Sequence, residues 1–155
     1  MSTSSGADSQ ATSESFSDEE RRAIKERAAE LKQSSRRDRG AVKAAAEEAD
    51  VVDKIAAMPD EDRELAERVH ALVRAVAPEL APKLYYGQPG YARDGKVICF
   101  FRSGQGDKER YSTFGFSAQA HLDQPSGMWP TSFALVEPDE AAWEQLGQLV
   151  EQSVR

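Results

Sequence analysis

Lys83-Leu84-Tyr85-Tyr86-Gly87-Gln88-Pro89-Gly90-Tyr91-Ala92-Arg93-Asp94-Gly95-Lys96-Val97-Ile98-Cys99-Phe100-Phe101, followed by the polar stretch 102–109 and then Arg110-Tyr111-Ser112-Thr113-Phe114-Gly115-Phe116, decides the fold. Aromatic and β-branched residues gather in short runs separated by Gly, Pro and Asp, which predicts strands at Lys83–Tyr86, Tyr91–Arg93, Val97–Phe101 and Arg110–Phe116. Asp94-Gly95 is a hairpin signal, because a type I′ turn needs positive φ at both central residues, so the strands that follow should pair antiparallel. Val97–Phe101 is apolar throughout and reads as a central strand covered on both faces, with helices supplying at least one cover.

Helical periodicity lies on both sides of these strands. From Asp60, the residues Leu65, Val69, Leu72, Val73 and Val76 form one apolar stripe on a helix that ends before Pro78. Beyond a turn at Ser117–His121 and a last strand at Thr131–Val136, Pro138 suits the first position of a closing helix whose apolar face is Trp143, Leu146, Leu149, Val150 and Val154. Helix, several strands, helix, without strand and helix alternation, predicts an α+β domain over residues 50–155. Its sheet of about five strands, antiparallel or mixed, packs with two long helices.

Upstream the composition changes. Residues 1–16 are mostly Ser, Thr, Ala, Gly, Gln and acidic residues, with too little apolar surface to offset ordering, which predicts a disordered tail. Ser17 and Glu20 have capping-box spacing, so a helix is expected to about Lys32. Gln33–Glu48 reads as a charged linker with a basic cluster at Arg36, Arg37 and Arg39, taken as solvated charge. Asp50 then caps a short helix over Val51–Ala57, which Pro59 ends. Residues 17–49 are thus a charged helical extension and linker.

The net charge of −7 makes the average surface repel phosphate backbones and anionic lipid, so neither nucleic acid nor membrane is the expected partner. The single cysteine, Cys99, lies in an apolar run and reads as a buried thiol in a reducing compartment. With no secretory or membrane-spanning stretch in this sequence, the expected location is the cytoplasm.

Pro82 to Tyr91, Gly95-Lys96-Val97, Phe100-Phe101, Tyr111 to Phe116, Ala120-His121-Leu122 and Met128-Trp129-Pro130-Thr131 resemble, in that order, the pattern of the YdhG-like domain family. The resemblance runs from about Asp50 to the end of the chain. It implies an α+β domain and, since some members are described as frataxin-like iron chaperones, loose binding of iron by surface carboxylates, which suit a hard cation that must be released again. Asp60, Glu64 and Glu67 are the candidate iron ligands, lying within about sixty degrees of one another on the helix after Pro59. The competing reading is a solvated face, with Arg63–Glu67 and Glu64–Arg68 as ordinary i,i+4 pairs.

No other constellation specifies a reaction. His70 and His121 belong to no zinc-ligand pattern. Cys99, Ser112, Ser117 and Ser132 have no recognisable base partner, and Gly104-Gln105-Gly106 reads as a turn. Lys83, Tyr86, Gly87, Pro89, Tyr91 and Trp129 have the makings of an aromatic pocket with one cation, suited to a small anionic ligand. The alternative is that Tyr85 and Tyr91 fill the core while Gly87 and Pro89 shape a bend between strands. Three functions therefore stand: a non-enzymatic binding domain of YdhG-like type, with iron as its cargo; a small-ligand module or enzyme using the aromatic pocket; and an interaction protein whose charged extension docks a protein partner.

Overall fold

The structure, a computed structural model, describes residues 17–155; the tail expected over 1–16 lies outside them. The chain divides into two units after Val42. Helix α1 runs over Asp18–Ala56, and the amide of Glu20 donates to Ser17 Oγ at 3.2 Å, the cap expected from the sequence. The helix continues through 33–49, where a linker was expected, and Asp50 is an interior residue rather than a cap. That stretch contains no proline and only one glycine, and its Ala, Arg, Lys, Glu and Gln residues are strong helix formers, so high charge did not interrupt the helix. In the first unit every described residue is exposed.

The second unit has an α+β fold. After the last turns of α1 come α2 (Asp60–Val76), the strands β1 (Ala81–Tyr85), β2 (Gln88–Arg93), β3 (Lys96–Arg102), β4 (Ser112–Phe116) and β5 (Ser132–Leu135), and α3 (Glu140–Ser153). The strands pair in chain order, each antiparallel to the next, so the sheet is a meander with no parallel pair. Two of its turns are two-residue hairpins with positive φ at both positions: Tyr86-Gly87 (49° and 76°) and Asp94-Gly95 (52° and 78°). The second is the turn that the sequence signals; the first uses a tyrosine where Asn or Asp is commoner.

Register sorts the side chains onto two faces. Tyr91, Cys99, Phe101, Phe114, Phe116 and Leu135 join Val51 and Ile55 of α1, Val69 and Val73 of α2, and Trp143, Leu146 and Val150 of α3 in one core. The pairing passes from Tyr91↔Cys99 to Ala92↔Val97, leaving Ile98 as an extra residue in a bulge, and both Ile98 and Cys99 are buried in the core. The helices cover this face alone. On the other, the Phe100 ring lies directly over Gly115 and packs against Tyr85 at 5.2 Å between centroids, so β3 is covered there by one of its own side chains.

At the start of α3, Asp139 rather than Pro138 marks the boundary. Its carboxylate accepts from the Ala142 amide at 2.8 Å, satisfying a donor that has no partner within the helix. No helix among the described residues is long and apolar enough to cross a membrane.

Half-buried His70 on α2 shares a 3.0 Å hydrogen bond, through Nδ1, with the hydroxyl of buried Tyr91. Burial lowers the His70 pKa below 6.5; Glu48 opposes this and Arg74 adds to it. The unfolded chain then binds the proton more readily than the folded one, so this group's contribution to stability is complete above about pH 6.5 and is lost as the pH falls below it. Urea melts at pH 7.5 and 5.5 are expected to show a loss of stability on acidification that is smaller in His70→Gln.

Candidate functional site

The organising residue is Asp62, in the first turn of α2 and 3 % exposed. One carboxylate oxygen accepts from the Ser103 hydroxyl and from the Gln105 amide at 2.9 Å, and the other accepts from the Ser112 hydroxyl at 3.2 Å. The two serines in turn accept from the loop: Gly104 N–H donates to Ser112 Oγ at 3.0 Å and Gly106 N–H to Ser103 Oγ at 3.3 Å. The β3–β4 loop is therefore wrapped around a carboxylate anion held near the helix N-terminus, where the dipole also favours negative charge. Gly104-Gln105-Gly106 is this wrapping. A Cβ on Gly104 would collide with the Tyr111 carbonyl group and lie 2.7 Å from the Ser112 amide, so only glycine fits.

Above this anchor lies a groove of about 640 Å³ between α2, the β3–β4 loop and the segment from β5 to α3. That volume is within the range of small-molecule sites. Its apolar wall comes from Leu65, Leu135, Pro138, Tyr111 and Trp143; its polar groups are Glu61, Glu64, Arg68, Glu109, Arg110 and Glu137. The charges are not equivalent. Arg68 stacks on Trp143 at 4.7 Å and its Nη2 is shared between the two carboxylate oxygens of Glu140, at 2.8 and 2.9 Å, while Glu109 approaches Arg102 at 3.4 Å. Both pairs are substantially exposed and contribute at most about 1 kcal/mol each. Glu61 accepts from the Gln105 side-chain amide at 3.0 Å, and Arg110 lies over the Tyr111 ring at 5.2 Å. Among the described residues, neither Glu64 nor Glu137 lies within ion-pair distance of a cation. Glu137 also holds a left-handed backbone, φ 44°, which a non-glycine residue rarely adopts.

The aromatic pocket expected from Lys83, Tyr86, Gly87, Pro89, Tyr91 and Trp129 is not assembled. Lys83 is on β1 at one edge of the sheet, on the face away from the helices, since its neighbour Pro82 pairs with the core residue Tyr91. Tyr86 and Gly87 form the β1–β2 turn, where Tyr86 is 90 % exposed and its ring meets Tyr85 edge-on. Pro89 and Tyr91 are fully buried, so Tyr91 fills the core as the packing alternative expected, but Pro89 lies within β2 rather than in the bend and Tyr85 packs against Phe100 on the outer face. Trp129 is beside β5 at the opposite edge, four strand spacings or about 19 Å from β1. There it lines a separate cleft with Phe116, Asp123 and Met128.

The proposed iron ligands share one helix face, but Arg63 stands among them, 3.2 Å from Asp60 and 3.8 Å from Glu67. Glu64 faces the groove instead. The expected Glu64–Arg68 pair does not form, because Arg68 turns to Trp143 and Glu140. Among the described residues no group of three or more His, Cys, Asp or Glu side chains is placed to hold a metal ion. Cys99 is fully buried, and burial pushes its thiol pKa well above the usual range, which suppresses the nucleophilic thiolate.

Sequence reasoning passed over Asp62, Arg110, Tyr111 and Glu137. Only Asp62 carried a readable signal: it stands three, four and seven residues before Leu65, Ala66 and Val69, so an acid occupies the phase of the apolar stripe. Compared with known proteins, the chain matches no family model, no curated protein and no solved structure.

Proposed function

We propose that residues 43–155 form a non-enzymatic binding domain of YdhG-like type whose ligand occupies the groove between α2, the β3–β4 loop and the β5–α3 segment. The observation that supports this reading is the convergence of an aromatic wall and charges of both signs on a cavity of small-molecule size, over a loop fixed by Asp62. A fixed loop matters because ordering it on binding would subtract from affinity. The charge balance selects the ligand. Glu64 and Glu137 are open carboxylates, Glu61 is held only by a neutral amide, and Arg110 is the one groove cation without a carboxylate partner among the described residues. A small zwitterion or organic cation fits: its ammonium group against Glu64 and Glu137 and beside the Tyr111 face, with any carboxylate towards Arg110. The anionic ligand expected beside Lys83 has no comparable enclosure.

The test is a thermal-shift titration of the full chain with a panel of amino acids, polyamines, organic acids and ferrous iron. A zwitterionic or cationic compound is expected to raise Tm in the wild type, with at least half of the shift lost in Tyr111→Ala and in Glu64→Gln. Stabilisation by iron that survives Tyr111→Ala but disappears in a combined Asp60→Asn, Glu64→Gln, Glu67→Gln variant would replace the groove with the carboxylate ridge as the functional site.

A further inference from the structure

The whole-chain charge of −7 conceals a segregation. Residues 21–42 hold eight Lys or Arg against three Asp or Glu, a net +5, whereas residues 43–155 hold twelve against nineteen, a net −7. The basic residues of the first stretch are also ordered in space. At 100° per residue, Arg21, Lys25, Lys32, Arg36 and Arg39 fall within about sixty degrees of one another on α1; Glu26, Glu30 and Asp38 fall at least about eighty degrees outside that arc, and of the three acids in the helix's first turn only Asp18 reaches its edge. All five cations are exposed, and none is within ion-pair distance of a carboxylate among the described residues. Arg21–Lys25 and Lys32–Arg36 are like-charged i,i+4 neighbours, which destabilise a helix. Such a row does not serve the helix's own stability; it suits an extended polyanion.

We propose that this stripe binds the phosphate backbone of duplex nucleic acid without sequence preference. From Arg21 to Arg39 the helix advances about 27 Å, and a duplex offers one phosphate charge per about 1.7 Å of its axis, so the row runs beside a stretch of duplex that carries about sixteen phosphate charges. An anionic membrane is the weaker partner, because the adjoining apolar residues are only Ile24, Leu31 and Val42, with no aromatic residue to enter the headgroup layer. A merely acidic average surface does not oppose the contact at short range, since fields between exposed charges are screened beyond about 10 Å at 0.1 M salt.

The experiment is fluorescence anisotropy of a labelled 30-base-pair duplex with the full chain between 50 and 200 mM salt, beside flotation with vesicles of phosphatidylcholine and phosphatidylserine. Binding should fall with a log–log salt slope of about −4.5 if all five cations meet phosphates, or about 500-fold across that range. Two variants remove equal charge with helix-forming glutamine: Lys32→Gln with Arg36→Gln inside the stripe, and Arg27→Gln with Arg37→Gln outside it. The first is expected to lower affinity about tenfold or more and flatten the slope by about 2, while the second changes both little. Equal loss in the two variants, no duplex binding at 50 mM salt, or binding to vesicles alone would each overturn the proposal.

Discussion

Asp62→Ala is expected to lower the stability of the domain by about 3 kcal/mol, read as a shift of about 10 °C in Tm or a matching drop in urea midpoint with an unchanged m-value. The substitution removes the common acceptor of two buried hydroxyls and one loop amide, so Ser103, Ser112 and Gln105 each lose a partner that water cannot readily replace. A buried donor left unsatisfied costs about 1–3 kcal/mol, and the three losses are not additive because the serines can turn. Asp62→Asn separates charge from shape: it keeps the volume, yet one of its ends becomes a donor facing groups that also donate, so it should recover only part of the loss. A surface acid such as Asp60, with its side chain 87 % exposed, should change stability by less than about 0.5 kcal/mol when replaced by alanine. If Asp62→Ala behaves like Asp60→Ala, the loop is not held by this carboxylate.

Gly104→Ala should be comparably damaging, by about 3 kcal/mol, for a different reason. The added methyl would meet backbone of Tyr111 and Ser112 rather than the end of a flexible side chain, so relief requires the β3–β4 loop to move as a unit. That movement would pull the Gln105 amide from Asp62 and shift Tyr111 and Arg110 at the groove wall. Gly104→Ala is therefore expected to weaken ligand-induced stabilisation as well as stability. Gly95→Ala would be a poor control, because Gly95 has φ 78° and the cost there is backbone strain. Gly106→Ala is the better one: its Cβ would meet the Ser103 hydroxyl at 3.0 Å, a contact that a small rotation relieves. Equilibrium urea unfolding of the two alanine variants should show Gly104→Ala as the more severe by at least about 1 kcal/mol.

The scaffold was legible because it depends on local patterns. The α2 stripe, the Asp94-Gly95 turn and the alternation through Arg110–Phe116 each follow from periodicity or turn chemistry within a few residues, and all five strands lie within a few residues of where they were expected. Glycines at 90 and 115 gave no sign that Phe100 would roof the outer face, since that contact joins residues brought together only by register. The site was less legible for the same reason. Lys83, Tyr86 and Trp129 are close in chemical character but lie at opposite edges of the meander, whereas Asp62, Ser103 and Ser112 are separated by 41 and 50 residues and meet at one point. A carboxylate in the phase of an apolar stripe needs a buried partner set, and two serines beside Gly104 and Gly106 supply it; neither half is informative alone.

The pH dependence at His70 belongs to the core rather than to the groove. It gives an independent check that the helices cover the Tyr91 face of the sheet.

The most direct measurement is a two-dimensional NMR titration of isotopically labelled full chain with the compound that gives the largest thermal shift. Amide perturbations should concentrate at Glu61–Leu65, Gln105, Glu109–Ser112 and Leu135–Glu137, around the groove, with little change at Tyr86-Gly87 or Met128-Trp129. Perturbations centred instead on the β1–β2 turn or on the cleft beside Trp129, with the Asp62 loop silent, would overturn the assignment of the groove as the ligand site.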